Sequence, residues 1–187
     1  MSMKLDPACF RVVITGSEST GKTSLATELA AFFGCPASPE AARLYVEDHP
    51  RALTVHDVEP IAQRQTELLQ TAIQAGKNLV IHDTDLWSTV LYADYYYRYR
   101  SDSLCRDAEA LSADLYLLCD IDLPWMPDPP FRDQGESDNR AVLHARFIEM
   151  LNRHRLSWVT ISGLGEERID LAIRTVEAAC RTQGVLT

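Results

Sequence analysis

The sequence predicts an α/β fold, a parallel five-stranded sheet flanked by helices. Three observations carry this. Short, continuous apolar runs recur along the chain, as RVVIT, NLVIH and DLYLLC. Such runs suit parallel strands buried on both faces. Segments of helical length separate them, and strand–helix alternation is the pattern of a parallel sheet. The first run also leads into a glycine-rich turn that opens directly onto a helix.

The elements follow in order. Residues 11–15 form the first strand, and Lys22 to Phe33 a helix stopped by Gly34. A short extended piece covers Cys35 to Ser38. Pro39-Glu40 then starts a helix carrying Ala41, Ala42, Leu44, Tyr45 and Val46. Thr54 or Asp57 caps a longer helix to Gln74, with Gly76 as its stop. Asn78 to His82 is a strand, and Asp83 to about Arg100 an aromatic-rich helix. Asp114 to Asp120 is a strand, followed by the proline-rich loop PWMPDPPFRDQGESDN. Ala141 to Leu156 is a helix, SWVTIS the last strand, and Glu166 to Arg181 the last helix.

Composition narrows the class. The 187 residues suit one domain, and 46% hydrophobic with 24% charged residues is a globular balance. A formal net charge of −9 argues against nucleic acid or an anionic membrane as partner, because both need clustered Lys and Arg. A small phosphate ligand stays open, since a nest of backbone N–H groups overrides net charge locally. No apolar stretch approaches ~20 residues, and the N-terminus has no apolar signal region. The five cysteines are odd in number and widely spaced, as for free thiols in a reducing cytoplasm.

The turn after the first strand reads Gly16-Ser17-Glu18-Ser19-Thr20-Gly21-Lys22-Thr23 and matches G-x-x-x-x-G-K-[ST] throughout. Glycines let successive N–H groups point at phosphate oxygens, and the following helix adds its positive end. Lys22 reaches the β- and γ-phosphates, and the Thr23 hydroxyl is placed for Mg²⁺. The nucleotide site is therefore expected at Gly16 through Thr23, with Ser24 beside it. GTP-binding proteins usually carry Asn-Lys-x-Asp after a later strand. This chain has CDIDLP there, which favours ATP.

NLVIHD ends a core strand in an acid. Asp83 is a candidate for holding Mg²⁺ through water, with Asp85 two residues on. Helix capping by Asp83, Thr84 and Asp85 is the alternative. In the proline-rich loop, Arg132 and Arg140 are candidate charge stabilisers over the transferred group, within a lid at about 124–140. Trp87, Tyr92, Tyr95, Tyr96, Tyr97 and Tyr99 all fall on the aromatic helix. Most aromatic stripes are core, but tyrosines this dense cover every side, so some face a cleft, a partner or solvent. Tyr and Trp there suit a flat, cationic ring.

Several segments together resemble the ribosylnicotinamide kinase domain of the NadR family. They are GSESTGKT at Gly16 to Thr23, Glu40-Ala-Ala-Arg43-Leu-Tyr45-Val-Glu47, and His82-Asp-Thr-Asp85 followed by Thr89 and Tyr92. Asp114 to Cys119 with Pro124-Trp125 completes the set. The resemblance runs from about Arg11 to the last helix. It implies a P-loop kinase with strand order 2-3-1-4-5. The activity implied is ATP- and Mg²⁺-dependent phosphorylation of the 5′-hydroxyl of nicotinamide riboside to nicotinamide mononucleotide. Full-length members add an N-terminal nucleotidyltransferase domain. No His-x-Gly-His occurs here, so a single kinase module over residues 1–187 is expected. The family's lid continues from Pro-Trp with an Asp-Gly-Leu-Arg-like turn. This chain has PWMPDPPFRD, to which Asp128 and Arg132 align.

The expected mechanism is in-line transfer. Lys22 and the loop backbone hold the triphosphate, and Thr23 and Asp83 position the metal. Either Asp85 or Glu40 orients the acceptor hydroxyl and takes its proton, and Arg43, Arg132 and Arg140 stabilise charge. The acceptor is expected to meet Glu40, Arg43, Asp85, Trp87, Tyr92 and Asp128. Rival readings are a kinase for another nucleoside or small metabolite, and a non-catalytic ATP-binding module.

Overall fold

A computed structural model describes residues 9–75, 78–126 and 137–185. Five strands form one sheet: β1 (Phe10–Thr15), β2 (Ala37–Ser38), β3 (Leu79–Asp83), β4 (Leu115–Cys119) and β5 (Trp158–Ile161). Their order is β2-β3-β1-β4-β5, and every pairing is parallel. This is the order the resemblance implied.

The period of two along each strand sorts the core into two layers. Val12 and Ile14, with Leu115, Leu117 and Cys119, face α1 (Lys22–Phe33) and α7 (Gly165–Thr182). Val13, Val80, Tyr116 and Leu118 face the other side. There they meet α3 (Val58–Ala75), α4 (Leu86–Tyr97), α5 (Asp102–Ala110) and α6 (Ser137–Arg153). The remaining helix, α2 (Ala41–Asp48), packs on α3.

Local signals placed most boundaries. Helix α1 ends at Gly34, whose left-handed φ of 59° lets its N–H reach back to the last turn. Thr54 and Asp57 form a capping box at the 3-10 turn Val55–Asp57 that leads into α3. Helix α5 was not expected. Its Ser101 cap accepts from Leu104 N at 3.2 Å, and Leu104 and Ala108 bury one face. Helix α4 starts three residues later than expected, because β3 continues to Asp83 and Thr84 turns the chain at φ 65°. Much of the expected lid, together with Asp128, Arg132 and the Gly76 stop, lies outside the described residues.

Candidate functional site

The glycine-rich loop sits at the C-terminal end of β1, between β3 and β4. Its two fixed glycines are required sterically. Gly16 has φ 135°, and a Cβ there would lie 3.0 Å from the Cys119 carbonyl oxygen. Gly21 has φ 73°, and its Cβ would come within 2.8 Å of Leu123. Side chains brace the loop from behind. Thr20 Oγ1 donates to Ser17 O at 2.8 Å. Buried Arg168 donates to Thr20 O at 2.8 Å and to Asp122 Oδ1 at 2.8 Å.

A cavity of about 200 Å³ lies on the loop, lined by Lys22, Thr23, Ser24, Glu40 and Arg43 among others. Lys22 Nζ donates to Ser17 O at 2.7 Å, inside the loop it is expected to serve. Thr23 Oγ1 donates to Asp83 Oδ2 at 2.6 Å, while Asp83 Oδ1 is buried with no hydrogen-bond partner. Burial raises the Asp83 carboxyl above its usual range, and the Glu40 charge adds to this. The Thr23 bond and Lys22 pull the other way. A cation at this point would meet the unpaired oxygen and relieve that burden. Hydroxyl and carboxylate oxygens are donors for a hard ion, so the residues fit Mg²⁺. Among the described residues no cluster of three or more His, Cys, Asp or Glu could hold a metal unaided.

A second cavity of about 100 Å³ opens beside the first, and Glu18, Glu40 and Tyr92 line both. Glu40 caps α2 next to β2, with Arg43 Nε 3.9 Å from its carboxylate. Leu53, Val58 and Ile61 supply an apolar wall. Tyr92 and Tyr96 stand parallel on α4, 5.9 Å apart with 7° between their planes. Tyr96 OH donates to Glu18 Oε1 at 3.0 Å.

Gln65 secures the floor of this cavity. It accepts from Ala41 N at 3.2 Å and donates to Thr84 O at 3.3 Å. A β-branched residue at positive φ is strained, and such strain persists where surrounding contacts over-determine it. At Thr84 it sends Asp83 to the loop and Asp85 into the core.

Three expected roles are corrected. Asp85 does not reach either cavity. It is buried at the α4 N-cap, accepting from Ser88 N at 3.3 Å and from Tyr116 OH at 2.8 Å. Trp87 is 1% exposed, with its indole N–H on Ser112 Oγ at 2.9 Å and its ring centroid 3.9 Å from that of His154. It lines a cavity of about 450 Å³ on the far side of α4. Five residues of helix turn through about 500°, which leaves Trp87 about 140° around from Tyr92. Arg140 is buried and spends its guanidinium on the carbonyls of Leu123 and Ser19, at 3.0 to 3.4 Å. It braces the loop and does not line the phosphate cavity.

Tyr96, Gln65 and Arg168 were not singled out for the site. Tyr96 was legible as the i+4 neighbour of Tyr92. Gln65 and Arg168 carry no local signal, because each acts on a segment distant in sequence.

Comparison with known proteins gives the family and the fold. Residues 11–168 match the model of a family described as an AAA domain. The chain belongs to that family. The trifunctional NAD biosynthesis/regulator protein NadR of Salmonella typhimurium is 27% identical to this AAA domain over 154 residues. The match covers 80% of the chain and 37% of that protein. A crystal structure of NadR protein in complex with NR superposes with a TM-score of 0.72 at 25% identity. It covers 92% of this chain and 51% of the NadR chain. A second NadR structure, with NAD and AMP-PNP, also gives 0.72 and covers 49% of its chain. The AAA domain thus spans between about a third and a half of the relatives it matches. Thymidylate kinase from Ehrlichia chaffeensis, at 15% identity and a TM-score of 0.65, shares the fold.

Proposed function

We propose that this protein is an ATP- and Mg²⁺-dependent kinase that phosphorylates the 5′-hydroxyl of nicotinamide riboside. The observation that carries the proposal is the acceptor cavity beside the glycine-rich loop. Its described lining holds two carboxylates, Glu18 and Glu40, and neither Lys, Arg nor His. An acceptor that already bears phosphate would meet like charge there. An unphosphorylated nucleoside would not, and a pyridinium base suits carboxylates and tyrosine faces best. The NadR structure with NR supports the same acceptor, and the one with AMP-PNP supports ATP as donor.

The residues then divide the work. The backbone of Gly16 to Thr23 and the Lys22 ammonium hold the β- and γ-phosphates. Thr23 and Asp83 would hold Mg²⁺, which when bound neutralises charge on the phosphate oxygens. Glu40, on the wall common to both cavities, orients the 5′-hydroxyl. As that oxygen bonds to the γ-phosphorus and the β–γ bridge breaks, the hydroxyl proton passes to Glu40 and the bridging oxygen leaves with ADP. Arg43, also lining the phosphate cavity, balances the charge that moves. Arg132 and Asp128 keep their expected roles over the transferred group and against the acceptor. A cytoplasmic setting goes with this chemistry, and all five cysteines are free thiols.

The test is ADP release in a coupled assay with ATP, Mg²⁺ and a panel of nucleosides. Turnover with nicotinamide riboside, its 5′-monophosphate as product, and little turnover with uridine or adenosine are expected. ATP binding without turnover on any nucleoside would overturn the proposal and leave a non-catalytic module.

A further inference from the structure

We infer that Glu18 is a specificity-determining residue that selects a positively charged base in the acceptor, with Tyr96 as the residue that positions its carboxylate. This deepens the kinase reading above and rests on it for the identity of the ligands.

Glu18 occupies a variable position of the glycine-rich loop, and a carboxylate is a costly choice there. It stands beside the cavity that takes a polyanionic triphosphate, and like charges at close range repel. Loop geometry does not demand it, because the fixed glycines, Lys22 and Thr23 carry that task. The side chain is instead tied to α4 through the 3.0 Å bond from Tyr96 OH, which places it on the wall of the acceptor cavity as well. Burial and the Glu18 charge hold the Tyr96 phenol far above its ordinary range, so it remains a neutral donor. A neutral donor fixes the carboxylate without cancelling its charge.

The other carboxylate of the cavity differs. Glu40 has Arg43 beside it at 3.9 Å, so part of its field is compensated. Arg140 also feels the Glu18 charge, but its guanidinium is held on main-chain carbonyls of Ser19 and Leu123. Tyr92 and Tyr96 line the same cavity as Glu18, and their rings offer the second element of a cation site. A cation in this cavity meets a fixed anion and an aromatic face at once. A neutral ring of the same shape gains only the packing.

Nicotinamide riboside and its reduced form provide that comparison, since they differ chiefly in the charge of the ring. The experiment measures the affinity of both by calorimetry, on the full chain with Mg²⁺ and AMP-PNP, for wild type, Glu18→Gln, Glu18→Asp and Tyr96→Phe. Wild type should favour the cationic form by roughly tenfold or more. Glu18→Gln should bring the ratio to within about threefold, chiefly by weakening the cationic form. Glu18→Asp should keep most of the preference, and Tyr96→Phe should give an intermediate ratio. Damage to the loop would weaken both nucleosides alike and leave the ratio unchanged, so the ratio separates selection from scaffolding. An unchanged ratio in Glu18→Gln, or no preference in wild type, overturns the inference. ADP release with ATP on the same samples reads the kinase proposal separately: a preference in binding without turnover would sink that proposal and leave this one standing.

Discussion

Thr23 Oγ1 lies 2.6 Å from Asp83 Oδ2, a hydrogen bond between the first turn of α1 and the end of β3 across sixty residues of sequence. Parallel pairing of β1 with β3, in register at Ile14 and Asp83, brings the two together. The bond uses one carboxylate oxygen and leaves the other buried and unpaired. The Mg²⁺ proposed above would meet that free oxygen.

Asp83→Asn should therefore raise the Mg²⁺ concentration needed for half-maximal turnover by more than about tenfold, while thermal stability holds or rises. The stability arm follows from burial, which disfavours the Asp83 charge in the folded protein. A magnesium titration of ADP release, paired with a melting curve, checks both. An unaltered magnesium dependence would remove Asp83 from the metal site.

Lys22→Ala should abolish phosphoryl transfer, by at least about a hundredfold in kcat, with the fold retained. Lys22 is half-buried and its ammonium bonds the loop's own Ser17 carbonyl, so its loss opens no core cavity. Circular dichroism and single-turnover kinetics on the variant test this. A folded variant with near-normal turnover would exclude the triphosphate site described above.

Trp87→Phe should cost stability and leave acceptor affinity alone. The change removes the indole bond to Ser112 and underfills a site that is 1% exposed. The expected loss is about 1–3 kcal/mol in urea unfolding. A selective rise in KM for nicotinamide riboside at unchanged stability would return Trp87 to the acceptor site.

Asp85 supplies a pH signature. Burial pushes its carboxyl up to about 6 from the ordinary 3.8, although the Tyr116 and Ser88 bonds oppose this. The unfolded chain loses that proton first as pH rises. Stability from Asp85 is therefore fullest below about pH 4, falls between about 4 and 6, and is lost above. The difference amounts to about 3 kcal/mol. Asp85→Asn lacks this ionisation, so relative to wild type it should gain about that much stability between pH 4 and pH 7. Parallel urea-unfolding profiles for the two proteins across that range would contradict the assignment.

Several features are legible in the sequence alone. The glycine-rich loop is one, because its requirements are local. Two glycines, a lysine and a hydroxyl within eight residues state most of its geometry, although Ser19 also takes a positive φ of 54°. The end of α1 at Gly34 and the capping box at Thr54 and Asp57 are local in the same sense. Strands β1, β3 and β4 are continuous apolar runs because both faces of a parallel sheet are covered.

Other features depended on elements meeting in space. Asp83 and Asp85 look alike along the chain, two acids at a strand end. Only the left-handed turn at Thr84, held by Gln65 from α3, sends one to the phosphate loop and the other beneath Tyr116. The aromatic helix announced many rings without saying which faced the ligand. That depended on how α4 is rotated against α5 and α6, which buried Trp87 and turned Tyr92 and Tyr96 to the cavity. Arg168 reaches the loop from 148 residues away. The sequence determined by itself what each segment forms, since propensity and turn chemistry act over a few residues. Which side chains share a site was left to tertiary packing, because that depends on the rotation and register of elements whose contacts are long-range.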